Sequence, residues 1–233
     1  MVLGFLGGWA LYAKRVEAEG GNRALAEQVT FWAAIGGFLG ARVLYVLSNM
    51  SEFGADPLAA LFSTAGFIFY GGFLGGALGV ILTLRRAQVS VAHHADLIAP
   101  SLSLAYAIGR IGCQLAGDGD YGIQSMLPWA VSYALGVVPT EPGVRVHPTP
   151  VYETIGALVI TWLLVKYSGN LLRRGRGALF AIYLILSAVA RFSVEFLRIE
   201  PEIFYGLTQA QLFAIFIFGF GLFLWRRAVP REI

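Results

Sequence analysis

One cysteine, Cys113, is present in 233 residues, so the chain forms no internal disulfide and builds no cysteine-based zinc cluster. Histidine is nearly as scarce, with three residues. His93 and His94 fall in a predicted cytoplasmic loop, and His147 stands apart from them. Charge is also sparse: Asp, Glu, Lys and Arg make up 13% of the chain, about half the soluble average. With 57% apolar residues and a mean hydropathy of +0.69, this balance excludes an ordinary soluble domain and marks an integral membrane protein. There is no internal repeat and no low-complexity stretch. The first apolar run lacks a basic segment before it and a small-residue cleavage site after it, so it reads as a span short of its first turn or two, not as a signal peptide. Ten-residue alternating strands are missing too, which excludes a transmembrane barrel.

What is present is a series of apolar segments, about 1-13, 29-48, 58-84, 95-117, 150-167, 177-198 and 209-226. In hydrocarbon the backbone must satisfy its own hydrogen bonds, so these predict an all-α polytopic membrane protein of about seven transmembrane helices, one domain over residues 1-233. The basic clusters Lys14, Arg15 and Arg23; Arg85 and Arg86; Lys166, Arg173, Arg174 and Arg176; and Arg226, Arg227 and Arg231 mark the cytoplasmic side. That places the N-terminus outside and the C-terminus in the cytoplasm. The net charge of +3 and the pI near 9.1 then report topology, not nucleic-acid binding. The outer loops are 49-57, 118-149 and 199-208. The second holds Pro128, Pro139, Pro142 and Pro148 and is expected to lie along the outer surface as an arm. Glycines recur at helical spacing, Gly36 with Gly40 and Gly71 with Gly75 and Gly79, which suits close helix packing.

The remaining basic residues are Arg42, Arg110, Arg145, Arg191 and Arg198, mostly within or beside apolar runs. A charge at bilayer depth costs at least a few kcal/mol and points to function. Arg110 lies roughly 8-10 Å below the outer end of its segment, and Arg191 roughly 10 Å below the end of its own, at a rise of about 1.5 Å per residue. Arg191, Glu195 and Arg198 share one helical stripe. Two readings stand for the pair Arg191 and Glu195: mutual neutralisation, or a phosphate site shared with Arg110. Two guanidinium groups suit the phosphate of a phospholipid headgroup. Asp118 and Asp120 sit in Gly117-Asp118-Gly119-Asp120-Tyr121-Gly122, which lacks the further ligands of a calcium loop and reads as a polar turn balancing arginines, so no metal is expected. His147, just before the fifth segment, reads either as a general base or as an exposed helix-entry residue.

Several motifs resemble the bacterial phosphatidylglycerol–prolipoprotein diacylglyceryl transferases over nearly the whole chain. They are Gly40-Ala41-Arg42, Phe69-Tyr70-Gly71-Gly72 with Gly75, Gly109-Arg110-Ile111-Gly112-Cys113 running to Tyr121-Gly122, His147-Pro148-Thr149-Pro150-Val151-Tyr152-Glu153, and Arg191 to Arg198. The resemblance implies transfer of the diacylglyceryl group of phosphatidylglycerol to the lipobox cysteine of preprolipoprotein signal peptides, without metal or organic cofactor. It implies a monomer in the bacterial inner membrane with its active site toward the outer face. Carried onto these positions, it predicts catalytic roles for Arg110, Arg191, Glu195 and Tyr70. It predicts substrate contacts for Arg110, Arg42, Gly71, Gly72, Asp118, Asp120, His147, Tyr152, Glu153 and Arg198. Tyr70 stands where many members have histidine, so a histidine base is absent there; a hydrogen bond to the headgroup and simple packing are both open to it. The alternatives are a related lipid-group transferase with another acceptor, or an anion or lipid transporter. Transporters centre their sites near the midplane between related halves, whereas these arginines lie in the outer half.

Overall fold

The computed structural model describes residues 2–50 and 66–228. Residues 51 to 65, which include most of the predicted loop 49-57 and the start of the 58-84 segment, and Arg231 lie outside the described residues. The elements are α1 (Val2–Ala18), α2 (Arg23–Ser48), α3 (Phe69–Arg86), α4 (Val91–Ala116), α5 (Thr149–Lys166), α6 (Ser168–Arg174), α7 (Ala178–Glu195), β1 (Glu202–Phe204), β2 (Leu207–Thr208) and α8 (Gln209–Arg227). The chain is mostly helical. Among the described residues, α2, α7 and α8 are each long and apolar enough to cross a membrane, and α5 with α6 makes a fourth such span, bent by 65°. The helices outrun the apolar segments at several ends, α1 reaching past Lys14 and Arg15, because hydropathy marks hydrocarbon depth and the backbone keeps its hydrogen bonds beyond it.

The chain divides into two compact units, residues 1–12 with 95–233 and residues 13–94. In the second unit α2 packs on α3 through glycine. A Cβ on Gly40 would collide with the carbonyl of Gly71, and one on Gly36 with the carbonyl of Gly75. Only hydrogen at these positions lets the backbones approach so closely.

In the first unit a buried cluster of Ala99, Ile160, Leu164, Leu172 and Leu179 joins α4, α5, α6 and α7. α7 packs along α8, whose start carries a capping box: Thr208 accepts from the Gln211 N–H at 3.2 Å, and the Gln211 side chain accepts from the Thr208 N–H at 3.0 Å. The all-α expectation is corrected in one place. β1 and β2 form a two-stranded antiparallel ribbon over the predicted outer loop 199-208. Its turn is Tyr205-Gly206, with φ of 48° and 76°, the left-handed pair a tight hairpin requires. The 118-149 segment folds back on itself through isolated bridges, Gln124 and Val131 both pairing with Val146, and Gly122 pairs with Arg198.

Candidate functional site

Arg110 comes from the last third of α4, Glu153 from the first turns of α5, Arg191 and Glu195 from the end of α7, Arg198 just beyond it, and Asp120 from the turn after α4. α4 ends at Gly117, whose φ of 57° reverses the chain there. Backbone bonds then fix that turn against the end of α7: the Ile123 N–H donates to the Leu197 carbonyl at 2.8 Å, and the Gly122 N–H to the His147 carbonyl at 2.9 Å. Thr149 adds a hydroxyl bond to the Asp120 carbonyl at 2.5 Å.

Glu153 is the hub. Its side chain is 4% exposed and binds Arg110 through Oε2 and Arg191 through Oε1 at 2.9 Å, with Arg198 at 3.7 Å. The Tyr106 hydroxyl donates to Oε1 at 2.6 Å. Asp120 bridges Arg110 and Arg198, the latter at 2.6 Å. Glu195, 1% exposed, pairs with Arg191 at 2.8 Å and accepts from the Thr208 hydroxyl at 2.8 Å. Glu200 adds a carboxylate to Arg198 at 3.1 Å, so the three arginines face four carboxylates, which offsets the charge of a site drawn from water. Burial alone would raise the Asp120 carboxyl, but hydrogen bonds and charge from Arg198 and Arg110 outweigh it and hold the group down at about 2.

Exposure separates the arginines. Arg198 is 6% and Arg110 11% exposed, whereas Arg191 is 32% exposed, as is Asp120. A Cβ added at Gly109 or Gly112 would meet nothing within 4 Å among the described residues, so these glycines leave room on either side of Arg110. Arg110 also keeps a buried Nε–H without a hydrogen-bond partner among the described residues. Arg191 is the most accessible of the three guanidinium groups, held between Glu153 and Glu195.

Of the two sequence readings of Arg191 and Glu195, the mutual pairing at i, i+4 is present, and Arg191 and Arg110 share Glu153 as a partner. Of the other expected residues, His147 lies with Tyr152, its Nδ1 3.2 Å from the tyrosine hydroxyl, which accepts from Trp129 Nε1 at 2.8 Å. Asp118 accepts from the Asp120 N–H at 3.4 Å. Cys113, Asp118 and Asp120 bring ligand atoms within 4.8 Å of one another, with the Asp120 carboxylate already engaged by two arginines. Arg42, Tyr70, Gly71 and Gly72 belong to the unit of residues 13–94. There Arg42 is buried and donates to the Gly66 carbonyl at 2.8 Å, Tyr70 is half-buried beside Phe69, and Gly71 and Gly72 lie on the face packed against α2. Tyr106, Thr149 and Thr208 were missed. Tyr106 had a signal, standing one turn before Arg110 on the same face.

The whole of this arrangement lies within a recognised sequence pattern. The family model described as prolipoprotein diacylglyceryl transferase matches residues 1–227. The chain belongs to this family. Relatives named phosphatidylglycerol–prolipoprotein diacylglyceryl transferase include one from Clostridium tetani, 32% identical over 97% of this chain and 89% of its own length. One from Nitratidesulfovibrio vulgaris is 33% identical over 97% of this chain and 86% of its own. A Clostridium perfringens relative, carrying the same name with the numeral 2, is 32% identical over 96% and 86%. Family membership thus covers every element that supplies the site, from α4 through Arg198 to the start of α8.

Proposed function

We propose that the protein transfers the diacylglyceryl group of phosphatidylglycerol to the thiol of a lipobox cysteine in a preprolipoprotein, forming a thioether and releasing glycerol phosphate. The sulfur bonds to the glyceryl carbon, the bond from that carbon to the phosphate oxygen breaks, and the thiol proton leaves to solvent. Negative charge gathers on the departing phosphate. Arg191, with Arg110 behind it, stabilises that charge by donating to the departing phosphate. The observation that carries the reading is the convergence of Arg110 and Arg191 on one buried carboxylate, Glu153, with Arg191 left accessible. The remaining proposed roles are catalysis for Glu195 and Tyr70, and substrate contact for Arg42, Gly71, Gly72, Asp118, Asp120, His147, Tyr152, Glu153 and Arg198. The protein is proposed to act as a monomer of about seven spans in the bacterial inner membrane, N-terminus outside, with its site toward the outer face.

The test is direct. Purified protein is incubated with phosphatidylglycerol and a lipobox peptide, and mass spectrometry looks for the diacylglyceryl thioether. Adduct from the wild type and its loss in Arg110→Ala are expected; no adduct from the wild type, or undiminished adduct from the variant, overturns the proposal.

A further inference from the structure

The first unit holds a buried acid that the site does not use. Asp96 of α4 is fully buried, and its carboxylate accepts the N–H of Gly177 at 2.7 Å and of Phe180 at 2.9 Å. Gly177 is the N-cap of α7 and has no side chain with which to cap it. Asp96 therefore supplies from another helix the acceptor that a serine or aspartate ordinarily supplies from the adjoining chain, and it places its carboxylate at the positive end of the helix dipole. A cap that comes from 81 residues away fixes where α7 begins relative to α4.

The spacing gives that anchor a consequence. Arg110 follows Asp96 along α4 by as many residues as Arg191 follows Gly177 along α7 (110 − 96 against 191 − 177). At about 1.5 Å per residue both stretches rise about 21 Å. The two helices run the same way, joined near their starts by Asp96 and near their far ends by Glu153, which holds both arginines. We infer that Asp96 is a positioning residue: by capping α7 from α4 it sets the axial register of the two helices, so that Arg110 and Arg191 arrive level on the Glu153 carboxylate. A slip of one helical turn moves Arg191 by about 5.4 Å, beyond the reach of Glu153. The kinetic arm below rests on the proposed transferase activity, and the distance arm does not.

The experiment places spin labels at Leu115→Cys and Phe196→Cys, exposed positions near the far ends of α4 and α7, in a Cys113→Ser background of the full chain in lipid nanodiscs. Electron–electron distance measurements compare the parent with Asp96→Leu, Asp96→Ser and Asp96→Asn. Asp96→Leu is expected to broaden the distance distribution and shift it by up to about 5 Å, one helical turn. Asp96→Ser, too short to reach both N–H groups, shifts likewise, and Asp96→Asn stays nearest the parent because its amide oxygen still accepts. In unlabelled protein the transfer rate of Asp96→Leu falls about a hundredfold, as a misplacement of roughly an ångström does. The loss is expected in kcat more than in KM, because charge stabilisation of the departing phosphate is what is lost. A parent-like distribution in Asp96→Leu overturns the inference; if that variant does not fold, a parent-like distribution in Asp96→Ser does so. A parent without transferase activity removes the functional reading, and the distances still decide the register.

Discussion

The two units solve the problem of holding helices together in apolar surroundings by opposite means. Between α2 and α3 the contact is made by leaving side chains out, so that Gly36, Gly40, Gly71 and Gly75 bring backbone against backbone. Around Glu153 it is made by packing in charge, three arginines against four carboxylates. The first contact fails when atoms are added, and the second when they are taken away. Close packing needs no charge, whereas the charged cluster leaves one of its guanidinium groups, Arg191, partly exposed.

The charged cluster is where a single substitution is expected to cost most. Glu153→Ala strips Arg110 and Arg191 of a shared partner and is expected to cost about 3–5 kcal/mol, the penalty of a buried charge left uncompensated. Thermal unfolding in detergent would show it as a large drop in midpoint, together with loss of transfer activity. At the glycine contact, Gly40→Leu is expected to cost about 1–3 kcal/mol by overpacking, whereas Gly219→Leu on α8, where a Cβ meets nothing within 4 Å, leaves the midpoint nearly unchanged. Thr208→Ala removes both the cap of α8 and the hydroxyl bond to Glu195, a loss of about 1 kcal/mol readable in the same melt. The smallest effect is one of pH. With its carboxyl held at about 2 against an ordinary 3.8, Asp120 stabilises the fold fully above pH 3.8, and that contribution is lost as pH falls towards 2. Melts of the wild type should decline over that window more than those of Asp120→Asn.

Much of this was legible in the chain, and the rest was not for identifiable reasons. The 150-167, 177-198 and 209-226 segments match α5, α7 and α8 to within three residues at each end, because long apolar runs carry the strongest local signal. The bend that breaks α6 from α5 after Lys166 is marked only by the short cluster Ser168-Gly169-Asn170, which was not read as a break. The ribbon at 202–208 was too short for a strand pattern, although Tyr205-Gly206 is the kind of turn that permits one. At the site, spacing within α7 disclosed the Arg191–Glu195 pair, since i, i+4 neighbours meet on one helix. It could not disclose that Glu153 joins Arg110 to Arg191, because that contact is made between helices and depends on their register. The capping box of Thr208 and Gln211 was not read from the chain, and what Thr208 does for Glu195 required the fold.

The central claim, that Arg191 is the accessible guanidinium on which the lipid phosphate is held as it leaves, is tested most directly by the single-turnover transfer rate of Arg191→Gln at saturating phosphatidylglycerol. A fall of about a hundred- to a thousandfold with the fold intact is expected, the loss that follows when a preorganised donor to developing charge is removed. A rate within twofold of the wild type would contradict it.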